Sequence, residues 1–258
     1  MKIVKVPSGL SGLGKSSGKA PDLVCAKLGR YELNENLFSL KFEVDEVLTS
    51  GNIDEIGLDI YNKALGLSKG VFIGGDHSLT YHAFKGFASK YSNPGLVIFD
   101  AHPDCEVCTS SASHEDFVRK LIDDGILKKE NLVLVGVRCF SKNEISFLKK
   151  NRIKYFTMKQ IYGNFEDVCD SVMEILREFD GFYLSLDVDV LDPAFAPGVG
   201  YREPGGFSVR ELIYFLGRLR LLKGYGVCDL VEINPEKDVG GLTVDVGAKL
   251  IWEMCKDF

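Results

Sequence analysis

The clearest periodic signal in the chain is a series of short, continuously apolar runs, each ending in a polar turn. Gly70 to Ile73 (GVFI) leads into GGDHS, Gly95 to Phe99 (GLVIF) into DAHPD, and Leu132 to Val137 (LVLVGV) into Arg138. Phe182 to Leu186 (FYLSL) leads into DVDVLDP, and Gly226 to Ile233, containing VCDLVEI, into NPEKD. Successive side chains of a strand point to opposite faces. A run that is apolar at every position therefore buries both, as strands of a parallel sheet do. MKIVKV at the start reads as a first strand rather than a secretory signal, because Pro7 and Gly9 cut its apolar run short.

Helix-length segments lie between the runs: Ser78 to Lys90, Glu115 to Ile122, Asn143 to Lys150, Phe165 to Glu178, Ser208 to Leu222 and Thr243 to Lys256. Ser208 followed three residues later by Glu211 is a capping-box start. The alternation predicts a three-layer α/β fold, a mostly parallel sheet between helices. No Pro/Gly/Ser-rich linker and no repeat divides it, so residues 1–258 read as a single domain.

Composition changes this picture only by exclusion. Of 258 residues, 45% are hydrophobic and 26% charged, ordinary globular values that place the chain outside the disordered class. A net charge of −6 gives no basic surface for nucleic acid and little attraction to an anionic membrane. No stretch approaches the roughly 20 apolar residues of a spanning helix. Seven cysteines, an odd count, do not make a disulfide framework, and point to free thiols in a reducing cytoplasm. Cys105 and Cys108 form one CxxC in a polar, acidic segment, which reads as local packing ahead of a thiol metal site or redox pair. Gly9 to Ser16 satisfies the bare phosphate-loop pattern. Ser17, Gly18 and Pro21, which follow, argue against the helix such a loop needs.

The polar punctuation falls at the carboxyl ends of the strands, where open α/β sheets bind ligands. DAHPD offers Asp100, His102 and Asp104; the first two share a side by their spacing, and the loop returns the third. Asp187 and Asp189 repeat the two-residue spacing, and GGDHS adds Asp76 and His77. Taken singly, His77 or His102 reads as a core histidine, Asp192 before Pro193 as a turn residue, and Asp76 as a group that orients its neighbours. Glu232, set in an apolar run, needs donors or a cation. Taken together, so many carboxylates cannot all stay ionised in one site without cations. Two adjacent divalent ions resolve the conflict, and carboxylate mixed with imidazole suits Mn²⁺.

GGDHS, DAHPD, SLDVDVLDPAFAPG and DLVEINP, in this order, resemble the signatures of the ureohydrolase superfamily, the arginase and agmatinase enzymes. The resemblance covers nearly the whole chain and implies an arginase-like fold with an eight-stranded parallel sheet and two Mn²⁺ per chain. It implies one ion on His77, Asp100, Asp104 and Asp187, and another on Asp100, His102, Asp187 and Asp189, with Asp100 and Asp187 bridging. It gives His114 the role of proton shuttle and Glu232 that of guanidinium receptor, with Asp104 counted among the catalytic groups. The implied reaction is attack of metal-bound hydroxide on a small cationic guanidino substrate. Glu203 to Gly206 (EPGG) looks closer to the agmatinase branch, giving putrescine and urea from agmatine, and Glu106, Glu115 and Asp116 suit an amine tail. Arginase, guanidino-acid hydrolase and formimidoylglutamase are the alternatives, and a non-catalytic metal-binding sensor is the alternative of another class. Val199 to Arg202 departs from the agmatinase pattern: Tyr201 adds bulk and Arg202 a charge able to attract a carboxylate. Pro103 also stands where Thr or Ala is usual. Relatives commonly assemble as trimers or hexamers, which implies a homo-oligomer.

Overall fold

The structure, a computed structural model, describes residues 1–7, 16–48, 53–108 and 111–255. Its strands are β1 (Lys2–Val6), β2 (Glu43–Glu46), β3 (Gly70–Gly74), β4 (Pro94–Phe99), β5 (Leu132–Val137), β6 (Lys154–Thr157), β7 (Gly181–Asp187) and β8 (Tyr225–Val231). They form one sheet in the order β2-β1-β3-β8-β7-β4-β5-β6, and every pairing is parallel. The helices are α1 (Ala20–Leu28), α2 (Ile53–Gly66), α3 (Leu79–Ala88), α4 (Phe117–Asp123), α5 (Lys142–Asn151), α6 (Met158–Gly163), α7 (Phe165–Arg177), α8 (Val209–Leu219) and α9 (Leu242–Met254).

The period-two rule sorts the strand residues between two cores. Val71, Ile73, Val97, Phe99 and Leu184 pack on one side with residues of α1, α7, α8 and α9. Phe72, Leu96, Ile98 and Tyr183 pack on the other with residues of α2, α3, α4 and α5. Both faces are dry, so the chain is a three-layer α/β fold, and each fully buried Phe or Leu contributes roughly 1.5–3 kcal/mol. Ser208 caps α8 as expected: its Oγ accepts the Glu211 N–H at 3.2 Å, and its own N–H donates to the Glu211 carboxylate at 2.8 Å.

Two strands and three helices escape the hydrophobic pattern. β2 (EVDE) and β6 (KYFT) are the edges of the sheet, paired on one side only, and none of their residues is fully buried. Charge on an edge blunts it against further pairing, which also erases the apolar signal. The segment predicted to avoid a helix near Pro21 does form one. Pro21 lies in the first turn of α1, where its missing N–H costs nothing. Gly9 to Lys15 of the phosphate-loop pattern lie outside the described residues.

Helices α2 and α3 pack closely at Gly86. A Cβ added there would stand 2.3 Å from the Tyr61 carbonyl oxygen and 3.0 Å from the Ala64 Cβ. Gly86→Ala is expected to lower the melting temperature. Overpacking of about 1–3 kcal/mol outweighs a helix-propensity gain of about 1 kcal/mol. A variant that melts at or above wild type contradicts this close approach.

Candidate metal centre

The strand order sets the site. β3, β8, β7 and β4 are neighbours at the centre of the sheet, and their carboxyl ends carry His77, Glu232, Asp187 with Asp189, and Asp100. β4 follows β3 in sequence yet lies three places away, and such a reversal of strand order opens a crevice at the strand ends. His77, Asp100 and Asp187 form one buried cluster of metal-ligand type, and Asp100, His102 and Asp189 a second. These are two clustered sites of the kind a binuclear centre uses.

His77 Nδ1 lies 3.1 Å from Asp100 Oδ2, 3.1 Å from Asp104 Oδ2 and 3.3 Å from Asp187 Oδ2. His102 Nδ1 lies 3.1 Å from Asp189 Oδ2 and 3.4 Å from Asp100 Oδ1. Asp100 therefore spans both clusters. Asp187 does not span them in the same way: Oδ2 faces His77, while Oδ1 accepts the N–H of Asp189 at 2.8 Å. Asp104 and Glu232 are both in the left-handed backbone region, at φ 51° and 66°. Strain of this kind, about 1–3 kcal/mol each, persists where surrounding contacts fix a functional geometry.

Hydrogen bonding behind His77 decides its tautomer. Asp229 is fully buried on β8 and accepts from Ser185 Oγ at 2.7 Å, Thr80 Oγ1 at 2.7 Å and Tyr183 OH at 2.9 Å. The Ser185 hydroxyl proton is thereby committed to Asp229. His77 Nε2, 2.8 Å from Ser185 Oγ, must then be the donor. Nδ1 faces three carboxylate oxygens and is hydrogen-bonded to none of them. Burial opposes a charge on the ring, but the three aspartates outweigh it and raise His77 well above the ordinary imidazole range, so this point calls for a positive charge; in the neutral ring Nδ1 offers it a lone pair. Lone pairs converging on one point repel unless a cation sits among them. The donor set fits a divalent metal ion, and an outer carboxylate fixing a histidine through a hydrogen bond is the usual support for one.

Without a cation the carboxylates compete for charge. Burial first, and then Asp100, push Asp104 up to about 8. Burial and neighbouring aspartates raise Asp187 and Asp189 likewise. Burial also works against Asp100, but His102 and His77 outweigh it and hold its carboxyl below the ordinary range.

Glu232 and His114, the remaining expected catalytic groups, share one cavity. Glu232 sits one residue past β8 rather than inside it. Its Oε1 accepts the His77 N–H at 2.7 Å, and burial followed by Asp76 raises it to about 8. His114 lines the same cavity, with Nε2 3.9 Å from Glu115 Oε1. Glu106, Glu115, Glu144 and Glu203 complete an acidic wall with Tyr201, and no Lys or Arg is among the described lining residues. Asp116 does not line it; its Oδ1 takes the Ser113 N–H at 2.7 Å at the start of α4. Arg202 does not line it either, donating instead to the carbonyls of Pro197 at 2.8 Å and Lys237 at 2.9 Å. Asp192 is a turn acceptor, as expected, for the N–H groups of Ala194 and Gly205. Asp76 accepts the Ser78 N–H at 3.0 Å. Cys105 is buried, its Sγ 3.1 Å from the Pro103 carbonyl, and neither it nor Cys108 joins a ligand cluster among the described residues.

The sequence reading missed Ser185 and Asp229, although both lie inside quoted motifs. Ser185→Ala leaves the His77 Nε2–H without its acceptor and frees the ring. Calorimetric Mn²⁺ titration is expected to show affinity about 10- to 100-fold weaker than wild type. Unchanged affinity contradicts the role given to this hydroxyl.

Comparison with known proteins agrees with the site. A sequence model of the arginase family matches residues 21–256. An arginase of Staphylococcus aureus (strain COL) is 36% identical over 195 residues, 69% of this chain and 65% of the relative. A formimidoylglutamase of Halalkalibacterium halodurans is 33% identical over 194 residues, 72% of this chain and 60% of the relative. The chain thus spans less than two thirds of the length of these relatives. The fold is that of the formimidoylglutamase structure from Bacillus subtilis, with a TM-score of 0.89 at 22% identity over 98% of this chain and 85% of that one. These similarities favour no single branch, and the agmatinase branch suggested by EPGG is not singled out. The family match runs from the first helix to the last, and by it the chain belongs to the arginase family.

Proposed function

We propose that the chain is a hydrolase that cleaves a C–N bond of a guanidino compound at a pair of Mn²⁺ ions. The observation that carries this reading is the convergence of His77 Nδ1 with three carboxylate oxygens in a buried site, with no hydrogen bond among them. His77, Asp100, Asp104 and Asp187 would hold one ion, and Asp100, His102 and Asp189 the other. When bound, such a pair supplies Lewis acidity that brings a water to hydroxide near neutral pH.

The chain's own groups do the rest. Glu232 is anchored through Oε1 by the His77 N–H, so its carboxylate is fixed beside the cluster. A guanidinium is planar and cationic, and its N–H groups make charge-assisted bonds to a carboxylate held in this way. Its charge also favours the ionised form of Glu232 against burial. His114 lines the wall of the same cavity and would pass a proton to the leaving amine.

The tail of the substrate is read from the wall. Glu106, Glu115, Glu144 and Glu203 favour an ammonium group, and no basic side chain among the described lining residues offsets them. A guanidino acid with no amine would bury its carboxylate against this wall unpaired, at a cost of several kcal/mol. Arginine and agmatine both carry the amine. The names of the relatives, an arginase and a formimidoylglutamase, support those alternatives better than agmatine. The absence of a basic side chain among the described lining residues of this cavity supports agmatine.

A product-release panel with Mn²⁺ tests this, using arginine, agmatine, guanidinobutyrate, guanidinopropionate and formimidoylglutamate. The expected result is urea from arginine or agmatine, with kcat/KM at least about tenfold above either guanidino acid, a difference of about 1.4 kcal/mol. The order of arginine and agmatine decides the branch. Faster turnover of a guanidino acid or of formimidoylglutamate overturns the amine-tail reading. No release from any compound leaves a metal-binding sensor.

A further inference from the structure

We propose that the cavity wall holds a third cation position, built by Cys139, Glu203 and His102 and suited to a thiophilic divalent ion such as Zn²⁺. Ligand-type atoms of these three residues lie within 4.8 Å of one another, and all three side chains are partly accessible. All three line the same cavity as Glu232 and His114. The two nitrogens of His102 face different surroundings. Nδ1 faces Asp100 and Asp189 at 3.4 and 3.1 Å, while Nε2 lies 3.9 Å from Glu203 Oε1.

The three groups are braced before any ion arrives. The Cys139 N–H donates to the Ala101 carbonyl at 3.0 Å, which fixes the cysteine beside His102. The adjacent Arg138 donates to the Glu203 carbonyl from Nε at 3.1 Å and from Nη2 at 2.7 Å. Nη2 also reaches the carbonyls of Asp189 at 2.6 Å and Leu191 at 3.2 Å. One arginine thus ties the Glu203 loop to the strand end that carries the thiol.

The donor set differs in kind from the inner clusters. Those are aspartate oxygens with imidazole; this one adds a thiolate, a soft donor that selects Zn²⁺ over Mn²⁺. On binding, the Cys139 thiol releases its proton to solvent, as ligation of a thiol requires. Nε2 is the ring nitrogen that faces this position, and with Nδ1 turned to the inner cluster it would bind by giving up its proton to solvent as the thiol does. Three protein donors leave a fourth position for water. An ion held here would narrow the cavity that the substrate must enter. The inference rests on the proposed function only for the role of His102 Nδ1.

The test is a Cd²⁺ titration of Mn²⁺-loaded protein, following the ultraviolet sulfur-to-cadmium charge-transfer band, with Zn²⁺ as competitor. Manganese content is read in parallel by elemental analysis. Wild type is expected to show the band saturating at about one Cd²⁺ per chain and displaced by Zn²⁺. Cys139→Ser is expected to lose it with manganese content unchanged, and Glu203→Gln to weaken Cd²⁺ binding at least about tenfold. No band in wild type, or an equal band in Cys139→Ser, overturns the proposal. Failure to retain manganese in wild type counts against the inner centre instead, so the two failures are distinguishable.

Discussion

Asp229 is fully buried, and its carboxylate is held by three side-chain hydroxyls and by the Leu186 N–H at 3.3 Å. A buried carboxylate without such donors would cost several kcal/mol. Satisfied in this way, it becomes a fixed acceptor deep in the sheet, and its order passes outward. Ser185 points its proton at Asp229, His77 points its Nε2–H at Ser185, and Nδ1 is left facing Asp100, Asp104 and Asp187. Which nitrogen faces the carboxylates, and so where positive charge is demanded at the strand ends, thus follows from a hydrogen-bond chain that begins on the neighbouring strand. Charge counting alone reaches the same demand by another route. Several carboxylates and two imidazoles in a buried site cannot all take their preferred protonation states.

The strand order makes that convergence possible. A chain that simply laid β4 beside β3 would separate GGDHS from SLDVD. Insertion of β8 and β7 between them brings four strand ends into one crevice. β5, on the far side of β4, then supplies the outer wall. Gly136 there has φ +99° at a register shift in the pairing with β6, and a Cβ would meet Val190 Cγ2 at 2.5 Å. Without a side chain at that point, the strand passes close to the 188–191 turn. Arg138, two residues on, donates to the carbonyls of Asp189, Val190 and Leu191. Inner cluster and outer wall are therefore positioned by the same few contacts.

What could be read from the chain followed from burial. Central strands such as LVLVGV are buried at every position, so the apolar run coincides with the observed β5. The two-residue spacings in DAHPD and DVD are local geometry, and they placed Asp100 with His102 and Asp187 with Asp189 at the strand ends, where the structure has them. Edge strands β2 and β6 left no such trace, because exposed positions are free to be charged. Ser185 was hidden for the opposite reason. A serine inside a buried run carries no periodic mark, and its importance lies in a partner 44 residues away. Glu203 showed up through its motif, but Glu144 did not, since it reaches the cavity from α5 while its carboxylate also accepts the Ser141 and Cys105 N–H groups.

The cysteines show where spacing stops being informative. Cys105 and Cys108 are neighbours in sequence, which drew notice to them, yet one is buried against the Pro103 carbonyl and neither meets a further ligand group among the described residues. Cys139 stands alone in sequence. It meets His102 and Glu203 only because β5 lies beside β4 and because Arg138 reaches across to the Glu203 loop. Arg202 makes the same point with charge. Its position in sequence suggested a carboxylate partner, but its guanidinium is occupied by the carbonyls of Pro197 and Lys237, and the acidic wall of the cavity keeps its sign. In both cases the residue type was visible in the chain. Its meaning was decided by which strand end or carbonyl the fold set against it.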